Sequence, residues 1–258
     1  MKIIAVANQK GGVGKTTTSV NLSAALAELG ISTLAIDLDP QGNLTSSFGF
    51  PPQTEGSLYQ AMTGNTSLTS LIQPTIYENL SIIPADLELA GCEVEIAREE
   101  NPLHHLTKLL SPLRETAPYE VVLLDCPPSL GILMSNALAA ADSVLVPLQC
   151  EYFALEGLAK IVGVIDRIRE GIGGSSPYLE GILLTMYDAR TRLSQQVVDD
   201  VRQHFGEKVY STWIPRTVRL GEAPSHGKPI LSYDSSSIGA KSYREFAKEF
   251  RGKLTSKA

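Results

Sequence analysis

Residues Lys10-Gly11-Gly12-Val13-Gly14-Lys15-Thr16-Thr17 place two ammonium groups and two hydroxyls on a glycine-rich backbone. Such a segment suits phosphate. Glycines let successive backbone N–H groups turn inward around an anion, and a helix starting near Thr16 aims its positive end at the same point. Lys15 would reach the β- and γ-phosphates of a nucleotide, and the Thr16 hydroxyl would be a ligand for Mg²⁺. Gly11, Gly12, Val13, Gly14, Lys15, Thr16 and Thr17 are therefore the expected nucleotide-binding set. The pattern G-x-x-x-x-G-K-[ST] fails at its first position, which holds Gln9. That departure leaves Lys10 beside the glycines, a second lysine in a loop already served by Lys15.

The elements needed to position this loop are legible around it. An apolar run, Ile3 to Ala7, precedes it, and Val20, Leu22, Ala25, Leu26 and Leu29 follow at helical spacing before Gly30 as a stop signal. Ile31 to Asp37 accumulates apolar residues as a parallel strand buried on both faces does. Asp37 and Asp39 then stand at the C-terminal end of that strand, where open α/β sheets bind ligands. Val121-Val122-Leu123-Leu124-Asp125 is a second run of this kind. Its terminal carboxylate fits the Walker B pattern, reaching the Mg²⁺ shell through water.

Further along, strands are expected at Leu80 to Pro84, Ser143 to Pro147, Leu179 to Met186 and Val209 to Ile214. Helices are expected over Ser57 to Met62, Asp86 to Ala97, Pro102 to Glu115, Tyr152 to Ile172 and Leu193 to Phe205. Pro51, Pro52, Gly56, Gly64 and Pro74 break up residues 49 to 79. A final amphipathic helix, Ile238 to Leu254, carries Tyr243, Phe246, Ala247, Phe250 and Leu254 at spacings of 3 and 4. It is read as docked on the core; a membrane-surface role is the other reading of such a basic helix.

The loop at Lys10 to Thr16 resembles the deviant Walker A of the ParA/MinD family of dimeric ATPases. Asp37-Leu38-Asp39-Pro40-Gln41-Gly42-Asn43 is similar to that family's first switch region, and Asp125-Cys126-Pro127-Pro128 to its second. The segment Pro215-Arg216-Thr217-Val218-Arg219-Leu220-Gly221-Glu222-Ala223-Pro224-Ser225-His226-Gly227 resembles the chromosomal ParA, or Soj-like, branch more than MinD. The resemblance implies an α/β, single-domain P-loop NTPase over residues 1–258, with a mostly parallel twisted sheet and helices on both faces. It implies ATP and Mg²⁺ as cofactors, and Lys10 as a signature lysine that crosses a homodimer interface to the partner's nucleotide, comparable to an arginine finger. By the same likeness Asp39 positions the attacking water, Asp37 supports the Mg²⁺ region, and Pro215 and Arg216 wall the adenine. Arg190 and Arg219, with Lys228, would bind DNA without sequence readout through guanidinium and ammonium contacts to phosphate. A ParB-type centromere-binding protein would stimulate hydrolysis and so release DNA, on the nucleoid of the cytoplasm. In the family the long helix at 152 to 172 lies at the dimer contact; from the residues alone its apolar face could equally be core.

Composition agrees with a folded domain and narrows the partners. Across 258 residues, 43% are hydrophobic and 19% charged, which argues against long disordered tails. No apolar run approaches the about 20 residues that span a bilayer, and the short run before the loop is not a signal peptide. Net charge is -6. Residues 1 to 185 hold 9 Lys and Arg against 20 Asp and Glu, and residues 186 to 258 hold 13 against 8. The basic charge thus lies at the C-terminal end, on the side of an anionic partner. Cys92, Cys126 and Cys150, and His104, His105, His204 and His226, have neither zinc nor disulfide spacing.

Three alternatives share the loop: a MinD-like membrane-associated regulator, a small-molecule P-loop kinase or ligase of the dethiobiotin synthetase kind, and an iron-sulfur carrier. The plain C-terminal tail, the Lys10 signature and the lack of a C-x-x-C count against them in turn. The chain begins at its first strand with no preceding helix-turn-helix, so operator-specific binding is not expected. Lys10→Ala should retain ATP binding but lose dimerisation and hydrolysis; a monomer that hydrolyses ATP at the wild-type rate would remove the role in trans.

Overall fold

The computed structural model describes residues 1–51 and 57–255. Pro52 and Gly56, expected as breakers, lie outside the described residues. In chain order the strands and α-helices are β1 (Lys2–Val6), α1 (Lys15–Glu28), β2 (Thr33–Asp37), α2 (Asn43–Ser47), α3 (Leu58–Met62), β3 (Gln73–Pro74), β4 (Leu80–Ile83), α4 (Cys92–Glu95), α5 (His105–Thr116) and β5 (Val121–Asp125). There follow α6 (Ile132–Ala140), β6 (Ser143–Gln149), α7 (Ala154–Gly171), β7 (Tyr178–Thr185), α8 (Arg192–Phe205), α9 (Val218–Glu222), α10 (Ile230–Tyr233) and α11 (Ile238–Thr255).

The strands form one sheet in the order β3-β4-β2-β5-β1-β6-β7, parallel throughout except for the edge strand β3. Every residue of β2 and of β5 is buried, because helices cover both faces and leave no solvated side to favour alternation. Alternate residues of β1 feed two cores. Ile3 and Ala5 join the cluster that includes Leu110, Leu133, Leu158 and Ile161, whereas Ile4 and Val6 pack with Leu22, Leu26, Tyr243, Phe246 and Phe250. The aromatic stripe of α11 therefore faces inward, against α1 and the sheet. Ala154, Leu158, Ile161, Val164 and Ile165 give α7 its buried face, which is core.

Three expectations need correction. Asp86 to Ala97 is not one helix but a 3-10 turn at Leu87–Gly91, the single turn α4, and a 3-10 turn at Ile96–Arg98. The Asp86 carboxylate accepts from the Leu89 N–H at 3.0 Å, which caps a tight turn, and Gly91 weakens continuation. Val209 to Ile214 is not a regular strand: beside β7 it forms one isolated bridge, Val209 with Ile182, and single backbone hydrogen bonds from Tyr210 to Ile182 and from Ile214 to Leu184, and the next bridge, Pro215 with Tyr187, lies beyond the end of β7. Glu249 on α11 captures the Ser211 and Thr212 N–H groups at 2.7 and 2.9 Å, so they cannot join a ladder. No element was expected between Ser129 and Ser143, yet α6 is there, with Leu133, Met134, Ala137 and Leu138 all buried. Such a helix, apolar nearly all round, has no polar stripe to reveal its period.

The terminal helix belongs to the core energetically. Phe246→Ala should lower unfolding free energy by about 3–5 kcal/mol in urea titrations, as truncation of a buried Phe does; a loss below about 1 kcal/mol would contradict its docking.

Candidate nucleotide and magnesium site

Residues 7–14 connect β1 to α1 through a loop that only glycines allow. Gly12 and Gly14 have φ of 76° and 89°, left-handed values that strain any residue with a Cβ. Gly14 is the cap of α1, where no side chain accepts a hydrogen bond from the helix and no acidic residue occupies the first turn. The orphan N–H groups and the helix dipole are therefore offered to a ligand. Remote groups fix the loop. The Asn8 amide donates to the Pro147 carbonyl at 2.8 Å while its oxygen accepts from the Lys10 N–H at 3.1 Å. Thr185 Oγ1 donates to the Val13 carbonyl at 2.8 Å.

Lys15 is buried, and its Nζ donates to the Lys10 carbonyl at 3.1 Å, curling the loop around the ammonium. Burial lowers its pKa, opposed by the neighbouring acidic groups, Asp125 first. Gly11, Gly12, Gly14, Lys15, Thr16 and Thr17 line a cleft of about 440 Å³, faced by Asp39, Asn43 and Ser46 on one side and by Ala223, Pro224 and Lys228 on the other. A second cavity of about 230 Å³ adjoins it, sharing Gly14, Thr17 and Met186 and lined by Pro215, Arg216, Thr217 and Tyr243. The two cavities are contiguous, and the glycine loop lines the larger one.

Lys10 behaves differently from Lys15. Its side chain is 46% exposed and pairs with Glu151 beyond β6. Arg190 and Arg219 stand on the surface outside both cavities. Asp188 holds Arg190 through Nε and Nη2 at 2.9 and 2.8 Å, and Arg219 meets Glu222 at 3.0 Å and Asp234 at 3.6 Å. Lys228, expected with them, instead lines the nucleotide cleft.

Asp37 and Asp125 end adjacent parallel strands in register, and both are fully buried. Asp37 has both oxygens engaged: Oδ1 accepts from the Asp39 N–H at 3.2 Å, and Oδ2 from the Thr45 N–H at 2.8 Å and its hydroxyl at 2.7 Å. Asp125 Oδ1 accepts from Ser19 Oγ at 2.7 Å, whereas Oδ2 is buried with no hydrogen-bond partner. Burial pushes both carboxyls up, aided at Asp125 by repulsion from Asp37; the Ser19 and Thr16 hydroxyls oppose this at Asp125, and Thr45 and the Asp39 N–H oppose it at Asp37, where repulsion from Asp39 is the smallest contribution. An orphaned carboxylate oxygen beside the Thr16 hydroxyl fits a hard divalent cation with oxygen ligands. No cluster of three or more His, Cys, Asp or Glu suited to a metal exists among the described residues; Mg²⁺ commonly takes one or two carboxylates and completes its shell with phosphates and water.

Sequence reasoning missed Ser19, Thr45 and Asn8. Ser19 lies four residues beyond Lys15 on α1, a spacing that signals a shared helix face; Asn8 and Thr45 carry no such signal.

The sign of the pH dependence follows from the raised carboxyls. A folded state that holds protons above 3.8, the ordinary Asp value, loses stability as pH rises through the elevated folded values, because the unfolded chain releases those protons first. Nucleotide-free protein should thus become less stable from about pH 4 toward neutrality and above. Asp125→Asn should flatten that decline and raise Tm near pH 8, while removing the Mg²⁺ dependence of nucleotide binding. A decline as steep as in the wild type would show that Asp125 does not carry it.

Comparison with known proteins gives this geometry its family. A family model described as an AAA domain matches residues 1–175. Sporulation initiation inhibitor protein Soj of Bacillus subtilis is 48% identical over 249 residues, covering 96% of this chain and 97% of that protein. Chromosome partitioning protein ParA of Caulobacter vibrioides is 48% identical over 252 residues, covering 96% and 93%. A solved structure named cobyrinic acid a,c-diamide synthase, from Mycobacterium smegmatis with bound ADP and magnesium, matches with a TM-score of 0.85 at 36% identity, over 100% of this chain and 97% of that one. With a phosphate loop bearing two lysines, paired carboxylates at neighbouring strand ends and near-full-length identity to Soj and ParA, the chain belongs to the ParA/MinD family of deviant Walker A ATPases, on its Soj-like branch.

Proposed function

We propose that the protein is a partitioning ATPase whose ATP-bound homodimer holds DNA without sequence readout and releases it when a ParB-type partner stimulates hydrolysis. The reading takes residues 1–258 as one domain that acts on the nucleoid to move a chromosome or plasmid. ATP and Mg²⁺ are its cofactors. The observation that carries the dimeric reading is the divergence of the two loop lysines: Lys15 is buried at the chain's own cleft, whereas Lys10 is directed to Glu151 and solvent.

In this reading the glycine loop and Lys15 bind the β- and γ-phosphates, and Pro215 and Arg216 flank the adenine in the smaller cavity. Thr16 and Asp125 hold the metal, with Asp37 behind them. Mg²⁺, when bound, neutralises charge on the phosphate oxygens. Asp39, a buried residue lining the cleft, orients the attacking water, and Lys10 stabilises charge on the neighbouring subunit's γ-phosphate. Little covalent chemistry is asked of the protein; positioning and electrostatics suffice. Arg190 and Arg219 are the DNA contacts, and Lys228 is a weaker one because it faces the cleft. Exposed ion pairs such as those of Arg190 and Arg219 contribute little because water screens them, so phosphates can replace Asp188 and Glu222 as partners.

A MinD-like membrane role has less support, since Tyr243, Phe246 and Phe250 of α11 are buried. A ligase reading draws on the name of the 36% identical structure and calls for an acceptor molecule.

DNA retention measured with ATP, with ADP and without nucleotide separates these readings: only the partitioning reading calls for binding in ATP alone. Arg190→Glu with Arg219→Glu should cut retention about tenfold or more at moderate salt, with ATP binding unchanged. Retention at the wild-type level would exclude this pair as the contact surface.

A further inference from the structure

The loop that carries Asp39 is fastened at both ends to one buried carboxylate, and Thr45 is the second fastening. Asp37 Oδ1 accepts from the Asp39 N–H at 3.2 Å. Its Oδ2 accepts from both the N–H and the hydroxyl of Thr45, at 2.8 and 2.7 Å. Residues 38–44 are thus closed into a loop across a single side chain. Within it, Asp39 Oδ1 accepts from the Gln41 N–H at 3.0 Å, and the Gly42 N–H donates to the Asp39 carbonyl at 2.9 Å. The loop holds Asp39, and Asp37 and Thr45 hold the loop.

Thr45 makes one further contact. Its Oγ1 also accepts from the Ala85 N–H at 2.9 Å, just beyond the end of β4. One hydroxyl, in a residue 2% exposed, therefore joins the end of β2, the first turn of α2 and the chain leaving β4. Thr45 does not line the larger cleft, so it has no direct path to a nucleotide.

We infer that Thr45 is a positioning residue for hydrolysis: its hydroxyl, bonded to Asp37 and to the Ala85 N–H, fixes the backbone that presents Asp39 to the phosphate end of the cleft. The assignment rests on the reading of the protein as an ATPase with Asp39 beside the reacting phosphate. Thr45 makes no hydrogen bond to residues 10–17 and lines neither the larger cleft nor the adjoining cavity, so ATP affinity should survive loss of its hydroxyl. Loss of the hydroxyl removes a donor from Asp37 and an acceptor from Ala85 in a buried setting. The loop should then sample more arrangements, and a misplacement on the order of 1 Å is enough to slow a positioned reaction about 100-fold.

The test compares Thr45→Val, which keeps the shape and deletes the hydroxyl, with Thr45→Ser, which keeps the hydroxyl. Partner-stimulated ATP turnover, ATP binding by titration, and amide hydrogen exchange over residues 38–47 are measured for each. The expected result for Thr45→Val is a kcat at least about tenfold lower with KM and ATP affinity within about threefold, and faster exchange at Asp39, Gln41 and Thr45. Thr45→Ser should restore kcat to within about threefold of wild type. A Thr45→Val protein with wild-type kcat, an equal loss in both variants, or a loss expressed in ATP affinity would overturn the inference. Should the wild type itself bind ATP without turning it over, the ATPase reading fails instead, and exchange over 38–47 still reports whether the hydroxyl fixes the loop.

Discussion

Two carboxylates are forced side by side in the dry interior because β2 and β5 run parallel, in register, and both end in aspartate. In that register alternate residues pack into opposite cores, Leu34, Ile36, Val122 and Leu124 on one face of the sheet and Ala35, Val121 and Leu123 on the other. Placing two acids together out of water is unfavourable unless donors, protons or a cation compensate. Asp37 is compensated by the chain itself, through Asp39 and Thr45. Asp125 is compensated by the Ser19 and Thr16 hydroxyls, while its Oδ2 has no hydrogen-bond partner. That remaining deficit is what a divalent cation relieves, and the phosphate loop lies beside it because β1 pairs with β5 and brings Val6 level with Asp125.

Charge is organised around the same end of the sheet. The phosphate loop supplies an uncapped helix N-terminus and the buried Lys15, both favouring an anion. Lys10 leaves the loop in another direction, and in the proposed function the cleft within one chain binds nucleotide while the second lysine comes from a partner chain. The loop after β7 and the segment from Pro215 onward are joined by hydrogen bonds between Tyr187 and Ile214 and between Arg216 and Tyr187. Arg190 and Arg219 come from these two segments, and Pro215 and Arg216 line the adjoining cavity. Nucleotide and DNA surfaces thus share one stretch of chain in the proposed function, which gives a physical route by which one can influence the other.

Much of this was legible in the residues. β5 and α1 are nearly where the sequence places them, because a short continuous apolar run ending in Asp125 and a helix bounded by the glycine loop and Gly30 are marked at their ends, although neither shows a solvated face. The terminal helix was legible from its aromatic residues at spacings of 3 and 4. What was hidden depends on distant partners. Glu249 takes the N–H groups that would have made residues 209–214 a strand, and α6 is covered on too many sides to show a stripe. In the site, Lys15, Thr16 and Asp125 carry their chemistry in local motifs. Ser19 and Thr45 are ordinary hydroxyls until folding brings them to Asp125 and Asp37. Lys228 shows the converse, since a cation in a basic segment says nothing about whether it faces outward or into a cleft.

The central claim is that each chain carries half of a working site, and the mass of the complex tests it most directly. Sedimentation of Asp39→Ala with ATP and Mg²⁺, where binding is retained and hydrolysis is blocked, should give a species of twice the chain mass. The same protein with ADP should be a monomer. A monomer in saturating ATP and Mg²⁺ would contradict the claim.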